Sequence, residues 1–240
     1  MSSKRLNVAV IGTGNVGRQF ARIFGTEPIP PRTLEGLTNN ADVYIISVSD
    51  DAVKEVAERL PEVEGIVLHT TGSVSIETLS GLRCRGYGVM YPFQTISKAR
   101  PLSPSSIPLL VEGNDDETLC RIKEIAGSYG FTSISEADSS KRKHVHLCGV
   151  FACNFTNVMI GISQKILSES GIDTSIINPL VGETIEKLRS LPAKAAQTGP
   201  ASRKDMTTIY SHKHLLEELG MNKESDIYDI ISDYIITESE

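Results

Sequence analysis

The chain has four cysteines, Cys84, Cys120, Cys148 and Cys153, and no C-x-x-C pair in its 240 residues. A disulfide framework or a cysteine zinc site is therefore not expected, and free thiols are. No spacing of His, Asp and Glu outlines a metal site either, so none is expected. No apolar run approaches the ~20 residues that span a bilayer, and Lys4-Arg5 precedes only a short strand rather than a signal-peptide hydrophobic region. The expectation is a cytoplasmic protein with no membrane partner. Positive charge is in deficit, 24 Lys and Arg against 30 Asp and Glu for a formal charge of −6, and no long basic run offsets it. That balance argues against a nucleic-acid partner. Internal repeats and low-complexity stretches are absent.

What is present starts with Val8-Ala9-Val10-Ile11, an apolar run that leads straight into Gly12-Thr13-Gly14-Asn15-Val16-Gly17. This is a complete G-x-G-x-x-G, and Gln19 to Phe24 continues at helical spacing. Between a strand and a helix each glycine has a purpose. Gly12 permits the tight turn, Gly14 lets the backbone approach a pyrophosphate, and Gly17 lets the helix pack close to the strand. Phosphates would then rest on the helix N-terminus, where unpaired N–H groups and the macrodipole favour negative charge. A bare strand-to-helix turn with no ligand is the alternative.

The next part of such a fold is deficient. A second strand ending in an acid or a basic cluster is expected roughly 20 residues after the fingerprint, to read the adenosine ribose. Here Gly25-Thr26-Glu27-Pro28-Ile29-Pro30-Pro31 intervenes before the next clear strand, Val43 to Val48. Prolines lack the amide an interior strand needs, so at most Glu27 to Ile29 makes a short edge strand. Glu27, Arg32 and Glu35 are poor substitutes for the usual ribose reader. A shallow, weakly charged adenosine pocket with little NADP-versus-NAD discrimination follows, unless the chain is broken near Phe24.

Apolar runs then alternate with helical patterns, as in a parallel sheet covered by helices. Strands are expected at Val43 to Val48, Gly65 to Leu68, Gly86 to Met90, Ile107 to Val111 and Phe131 to Ile134. Asp50 is placed to cap a helix over Ala52 to Leu60, and another helix is expected over Asp116 to Gly127. From about Ala137 helical periodicity dominates, with Gly171, Gly199-Pro200 and Gly220 as stops. The expected organisation is a Rossmann-like α/β domain over 1–136 and a helical domain over 137–240.

Four further segments are distinctive: Leu68-His69-Thr70-Thr71-Gly72-Ser73, Met90-Tyr91-Pro92-Phe93-Gln94-Thr95, Phe151-Ala152-Cys153-Asn154-Phe155-Thr156-Asn157 and Gln197-Thr198-Gly199-Pro200-Ala201. Together they resemble a family of Rossmann-type oxidoreductases with a helical C-terminal domain of unknown function. That family sits in the 6-phosphogluconate dehydrogenase-like superfamily, with pyrroline-5-carboxylate reductase and ketopantoate reductase. The resemblance covers nearly the whole chain and implies an NADP cofactor, NAD being possible, with a small-molecule substrate site between the domains. It also implies a homodimer, in line with a helical region too thin to bury its own apolar faces.

In an open α/β sheet ligands bind beyond the carboxyl ends of the strands, which brings Gly12 to Gly17, the loop Ser47-Val48-Ser49 and His69 to Ser73 to one crevice. Thr71, Gly72 and Ser73 offer hydroxyls and an amide to a substrate oxygen, or form a helix cap. His69 is either a proton donor or a structural histidine at a strand end. Tyr91 and Phe93 are expected to pack as core, while Gln94 either binds the nicotinamide or packs. On the long helix His146, Val150, Cys153 and Asn157 share one stripe, with Asn154 at its edge. Related hydroxyacid dehydrogenases place a catalytic lysine one turn before an asparagine on this helix. Asn157 matches the asparagine, but Cys153 stands where the lysine is expected. His146 becomes the candidate acid, with Asn154 and Asn157 orienting substrate; all three could instead cross-link packed helices. Arg203 either clamps a substrate carboxylate or pairs with Asp205 or a partner subunit. Two functions follow: a nicotinamide-dependent reductase acting on a small carbonyl, imine or hydroxy acid, or a non-catalytic nucleotide sensor that keeps the fold.

Overall fold

Val8–Ile11 (β1) is buried on both faces, as a strand covered by helices on each side must be. In the computed structural model, which describes residues 6–238, it lies near one edge of a seven-stranded sheet. Lys4 and Arg5 fall outside the described residues. After β1 come Asn15–Phe24 (α1), Pro28–Ile29 (β2), Val43–Ile46 (β3), Val53–Glu58 (α2), Ile66–His69 (β4) and Gly86–Pro92 (β5). Leu109–Gly113 (β6), Asp116–Ser128 (α3) and Ile134–Glu136 (β7) complete the sheet, in the order β2-β1-β3-β4-β5-β6-β7.

Strands β2 to β5 are mutually parallel, and only the β5–β6 step is antiparallel. A parallel step needs a long crossover, usually a helix. The Pro-rich connection 93–108 forms only the single 3₁₀ turn Pro104–Ser106. Side chains alternate between the two faces. Val8, Val10, Val43 and Ile45 meet Phe20 and Phe24 of α1 and Ile122 and Ile125 of α3. Ala9, Ile11, Tyr44 and Ile46 meet Val53, Val56 and Ala57 of α2.

The second strand exists in reduced form. Pro28 and Ile29 pair with Val10 and Ile11, and the Gly12 amide donates to the Ile29 carbonyl at 2.9 Å. Among the described residues no strand lies outside β2. In the six-stranded dinucleotide order a third strand would sit there. The deficit is therefore the outer strand and the helix leading to it.

Ser139–Gly149 (α4) begins at Asp138, whose carboxylate accepts from the Lys141 amide at 2.8 Å. The first compact unit takes in this helix and runs Met1–Asn154, the second Phe155–Glu240. The expected division at residue 136 falls earlier because Arg142 of α4 is wholly buried against the sheet, ion-paired with Glu112 of β6. Periodicity shows that α4 is a helix but not which core it joins.

The second unit contains Thr156–Glu169 (α5), Asn178–Lys187 (α6), Ala193–Ala196 (α7), Met206–Glu218 (α8) and Asn222–Glu238 (α9). Asp205 caps α8 through the Thr208 amide and hydroxyl, and Lys213 to Asp229 at 2.9 Å ties α8 to α9. Ile209, Leu216 and Met221 are its buried apolar residues, with Ala201. Helices α5 and α6 bury nothing, and Val158, Leu180, Ile185, Tyr210, Ile230 and Tyr234 are exposed.

The helix Ser139–Glu169 has 31 residues and an 18-residue window of mean hydropathy 1.6, none of it buried. By length and composition it is apolar enough to cross a membrane. Counting uninterrupted apolar runs overlooked it because Asn154, Thr156 and Asn157 divide the run without charging it.

Candidate functional site

The turn after β1 has the geometry its glycines suggested. Gly12 has φ +139°, and a Cβ there would lie 2.0 Å from the Ser47 carbonyl oxygen. A Cβ on Gly17 would lie 2.1 Å from the Gly12 oxygen, so both positions are closed to side chains. Gly14 is different, because a Cβ there meets nothing within 4 Å. The first main-chain bond of α1 runs from the Arg18 amide to the Gly14 oxygen at 3.0 Å. The amides of Asn15, Val16 and Gly17 precede it and carry the partial positive charge of a helix start. No acidic side chain sits in that turn to compete for them.

Gly12 to Val16 line a cleft of about 680 Å³ with Ser47, Val48, Ser49, Asp50, Thr70, Thr71, Gly72, Tyr91 and His146. The strand ends supply it, since β1, β3, β4 and β5 are parallel and finish on one side of the sheet. Of the expected cofactor contacts, Gly12 to Val16 and Ser47 to Ser49 are at the cleft, and Gly17 lies directly beneath. Pro31, Arg32, Glu55 and Arg59 line its far end. Arg59 donates to the Pro31 oxygen at 3.2 Å and the Arg32 oxygen at 2.5 Å, pinning the segment after β2 to the end of α2. That end of the cleft carries the charged residues Arg32, Glu55 and Arg59, the last from a helix end that sequence spacing could not bring alongside residue 32.

His146 stands at the opposite end. Its ring rests on Gly72, where a Cβ would come within 2.8 Å of Nδ1. Nδ1 shares a hydrogen bond with the Tyr91 hydroxyl at 3.1 Å, and the rings meet edge-on at 6.0 Å. Tyr91 was expected to be core, yet its hydroxyl faces the cleft. Burial, then the Asp50 carboxylate, raises its pKa, and Arg142 opposes them. Asp50, expected to cap a helix, makes no cap bond and accepts instead from Ser73 Oγ.

Beneath the loop Thr71-Gly72-Ser73 lies the buried Arg142. It donates to the Thr71 oxygen at 3.3 Å, the Val74 oxygen at 2.6 Å and the Ala137 oxygen at 3.3 Å while paired with Glu112. Sequence reading missed this residue. The available signal was its position four residues before His146, on the same helix face.

His69 is fully buried, and its Nδ1 accepts from the Thr71 amide at 3.2 Å. The ring proton is therefore on Nε2, which sits beside the Ser75 backbone without a hydrogen bond of good geometry. Burial, reinforced by the Arg142 charge, lowers its pKa to about 4.

Gln94 is spent on its own loop, donating to the Ser106 oxygen at 3.1 Å and accepting from the Thr95 amide at 2.9 Å. Asn154 is exposed within a π-helical segment, Val150–Phe155, and Asn157 is exposed on α5 in the second unit. A π turn inserts about one residue into the helix and shifts the phase by ~100°, a step that the even period read from the sequence does not include. Arg203 is exposed at the end of the 3₁₀ turn Ala201–Arg203, also in the second unit, with its charge felt by Asp205. No group of three or more potential metal ligands occurs among the described residues.

Residues 107–235 match the model of a domain of unknown function, DUF2520. No curated protein matches the sequence. Among solved structures, a candidate NADP oxidoreductase from Bacteroides fragilis is 29% identical with a TM-score of 0.86, covering 97% of this chain and 98% of its own. A protein from Thermotoga maritima has 22% identity and a TM-score of 0.68, covering 97% and 90%. A reductive aminase from Aspergillus terreus, in complex with NADPH and ethyl levulinate, has 14% identity and a TM-score of 0.70, covering 97% and 94%. At such identities the last two speak for the fold, which is that of Rossmann-type NADP oxidoreductases.

Proposed function

Because this chain belongs to the DUF2520 family, a family defined without an activity, we propose from the site itself that it is an NADP(H)-dependent oxidoreductase. The observation that carries this reading is the cradle over Gly14, open above and lined by unbonded helix-start amides, with a protonatable pair at the other end of the same cleft. The substrate in this reading is a small carbonyl, imine or hydroxy acid, in keeping with the reductive aminase and the imine reductase from Myxococcus stipitatus that share the fold.

Asn15, Val16 and Gly17 would hold the pyrophosphate, and Ser47 to Ser49 would flank the cofactor beside it. When bound, the nicotinamide supplies or accepts hydride. His146 serves proton transfer at the Gly72 end, where Thr71 and Gly72 shape the wall. We assign His69 a structural role, since an imidazole neutral down to about pH 4 donates no proton as imidazolium near neutrality. For Asn154, Asn157 and Arg203 the proposed substrate-orienting role rests on sequence alone; Asn157→Ala and Arg203→Ala should then raise KM.

We further propose a cytoplasmic homodimer joined through the helical unit. Helices that bury nothing within their own chain need a partner, and a second copy offers the same apolar faces. Light scattering at micromolar concentration should return twice the chain mass. A monomer that floats with lipid vesicles would place the apolar helix in a bilayer instead.

Nicotinamide fluorescence on titration with NADPH and NADH tests the main reading, followed by turnover with cyclic imines, 2-oxo acids and aldehydes. Binding without turnover of any class would favour a sensor.

A further inference from the structure

We infer that Tyr91 is the group that gives the substrate its proton and that His146 is the relay that restores it. This deepens the proposed function and rests on it. Tyr91 ends β5 at the carboxyl side of the sheet and lines the same cleft as Gly14, Ser47 and Gly72. Its hydroxyl is 3.1 Å from His146 Nδ1, while His146 itself is exposed. One member of the pair thus faces inward and the other outward, which is the arrangement a proton path from solvent to a closed site requires.

Several competing groups in the cleft are committed elsewhere. The Asp50 carboxylate is bound to Ser73 Oγ. His69 is buried and neutral, with Nδ1 held by the Thr71 amide. The hydroxyls of Ser47 and Thr70 are bonded to each other at 3.1 Å. The groups that act on Tyr91 are Asp50 from the loop after β3 and Arg142 from α4. Arg142 is itself neutralised by Glu112 of β6.

The pair is also held in place. Arg142, one turn before His146, fastens α4 to the Thr71 and Val74 carbonyls. Gly72 then leaves room for the imidazole, since any side chain there would strike it.

The step balances as follows. A bound dihydronicotinamide would supply hydride to the substrate carbon, placing the C=X π pair on the heteroatom X. The Tyr91 O–H bond breaks as X–H forms. As the phenolate left behind takes the Nδ1 proton of His146, Nε2 takes a proton from water, which leaves as hydroxide, so one solvent proton is consumed per turnover and exchange with solvent resets the imidazole tautomer.

A titration needing no substrate tests the pair. In ¹⁵N-imidazole spectra of the full-length protein, Tyr91→Phe should change the Nδ1/Nε2 tautomer balance of His146 while NADPH affinity stays within about twofold. Unchanged imidazole signals would overturn the pairing. With NADPH and whichever of the three acceptor classes the parent reduces, Tyr91→Phe should lower kcat about 100-fold with little change in KM, the size expected of a lost general acid. His146→Ala should lower it less and be rescued by added imidazole, which a purely structural histidine would not allow. A Tyr91→Phe enzyme within threefold of the parent refutes the donor but leaves the oxidoreductase standing. A parent that binds NADPH and reduces none of the acceptors refutes both.

Discussion

Replacing Gly14 by valine separates the cofactor site from the fold, because this glycine is conformationally ordinary. Its φ of −71° and ψ of −171° suit any residue, and a Cβ there meets nothing within 4 Å. Stability should fall by only about 1 kcal/mol, since valine caps a helix less well than glycine. The valine methyls would occupy the space through which a pyrophosphate approaches the amides of Asn15 to Gly17. Hydrogen bonds to a charged group contribute about 1.5 to 3 kcal/mol each. Losing two should weaken NADPH by at least about 100-fold, since 1.4 kcal/mol is a factor of ten. The chain contains no tryptophan, so binding is read directly from nicotinamide fluorescence and folding from the thermal midpoint. Gly12→Ala is the contrasting control, because its Cβ would sit 2.0 Å from the Ser47 oxygen and should unfold the domain. A Gly14→Val protein that binds NADPH within threefold of the parent would refute the placement of the phosphates. A variant that loses binding only because it has unfolded would refute the claim that the space is free.

His69 makes the fold acid-sensitive. Its pKa is lowered from 6.5 to about 4, so between those values the unfolded chain binds the proton that the folded one refuses. Stability is then full above about pH 6.5 and falls as pH drops, by about 3 kcal/mol at pH 4. Urea unfolding across this window should show the slope, and His69→Gln should flatten it; equal slopes would refute the assignment. Arg142→Met leaves Glu112 without its partner in a largely buried setting and should cost about 3 kcal/mol, whereas a loss under 1 kcal/mol in urea would show the pair to be dispensable. Arg32 lines the adenosine end of the cleft, so Arg32→Ala should weaken NADPH about tenfold and leave NADH unchanged, in keeping with one lost charge-assisted bond. Equal weakening of both would show that Arg32 does not read the 2′-phosphate.

The parts of this molecule legible in its sequence are those set by local rules. Val8 to Ile11 and Val43 to Ile46 show as buried strands because both faces are covered, and the glycine turn shows because φ +139° at residue 12 and the close approach at residue 17 admit nothing else. The loops at the strand ends follow from topology alone, which is why Ser47, Thr71 and Gly72 were found. What escaped reading depends on contacts between elements distant in the chain. Arg59 matters because α2 ends beside residues 31 and 32, and Arg142 because α4 lies against β6. Tyr91 looked like core because an aromatic at a strand end usually packs, and only the position of His146 shows what its hydroxyl meets.

The long helix shows a different limit of reading by period. Projecting His146 onto Asn157 assumed one period for eleven residues, but the π segment Val150–Phe155 breaks that period between them. Wider turns of this kind recur at functional sites, and here one separates the helix that carries Arg142 and His146 from the helix that buries nothing in its own chain. The consequence is a division of labour within a single 31-residue helix. Its first turns carry Arg142 and His146 in the first unit, and in the proposed homodimer its later turns would present exposed apolar side chains such as Val158 to a second copy.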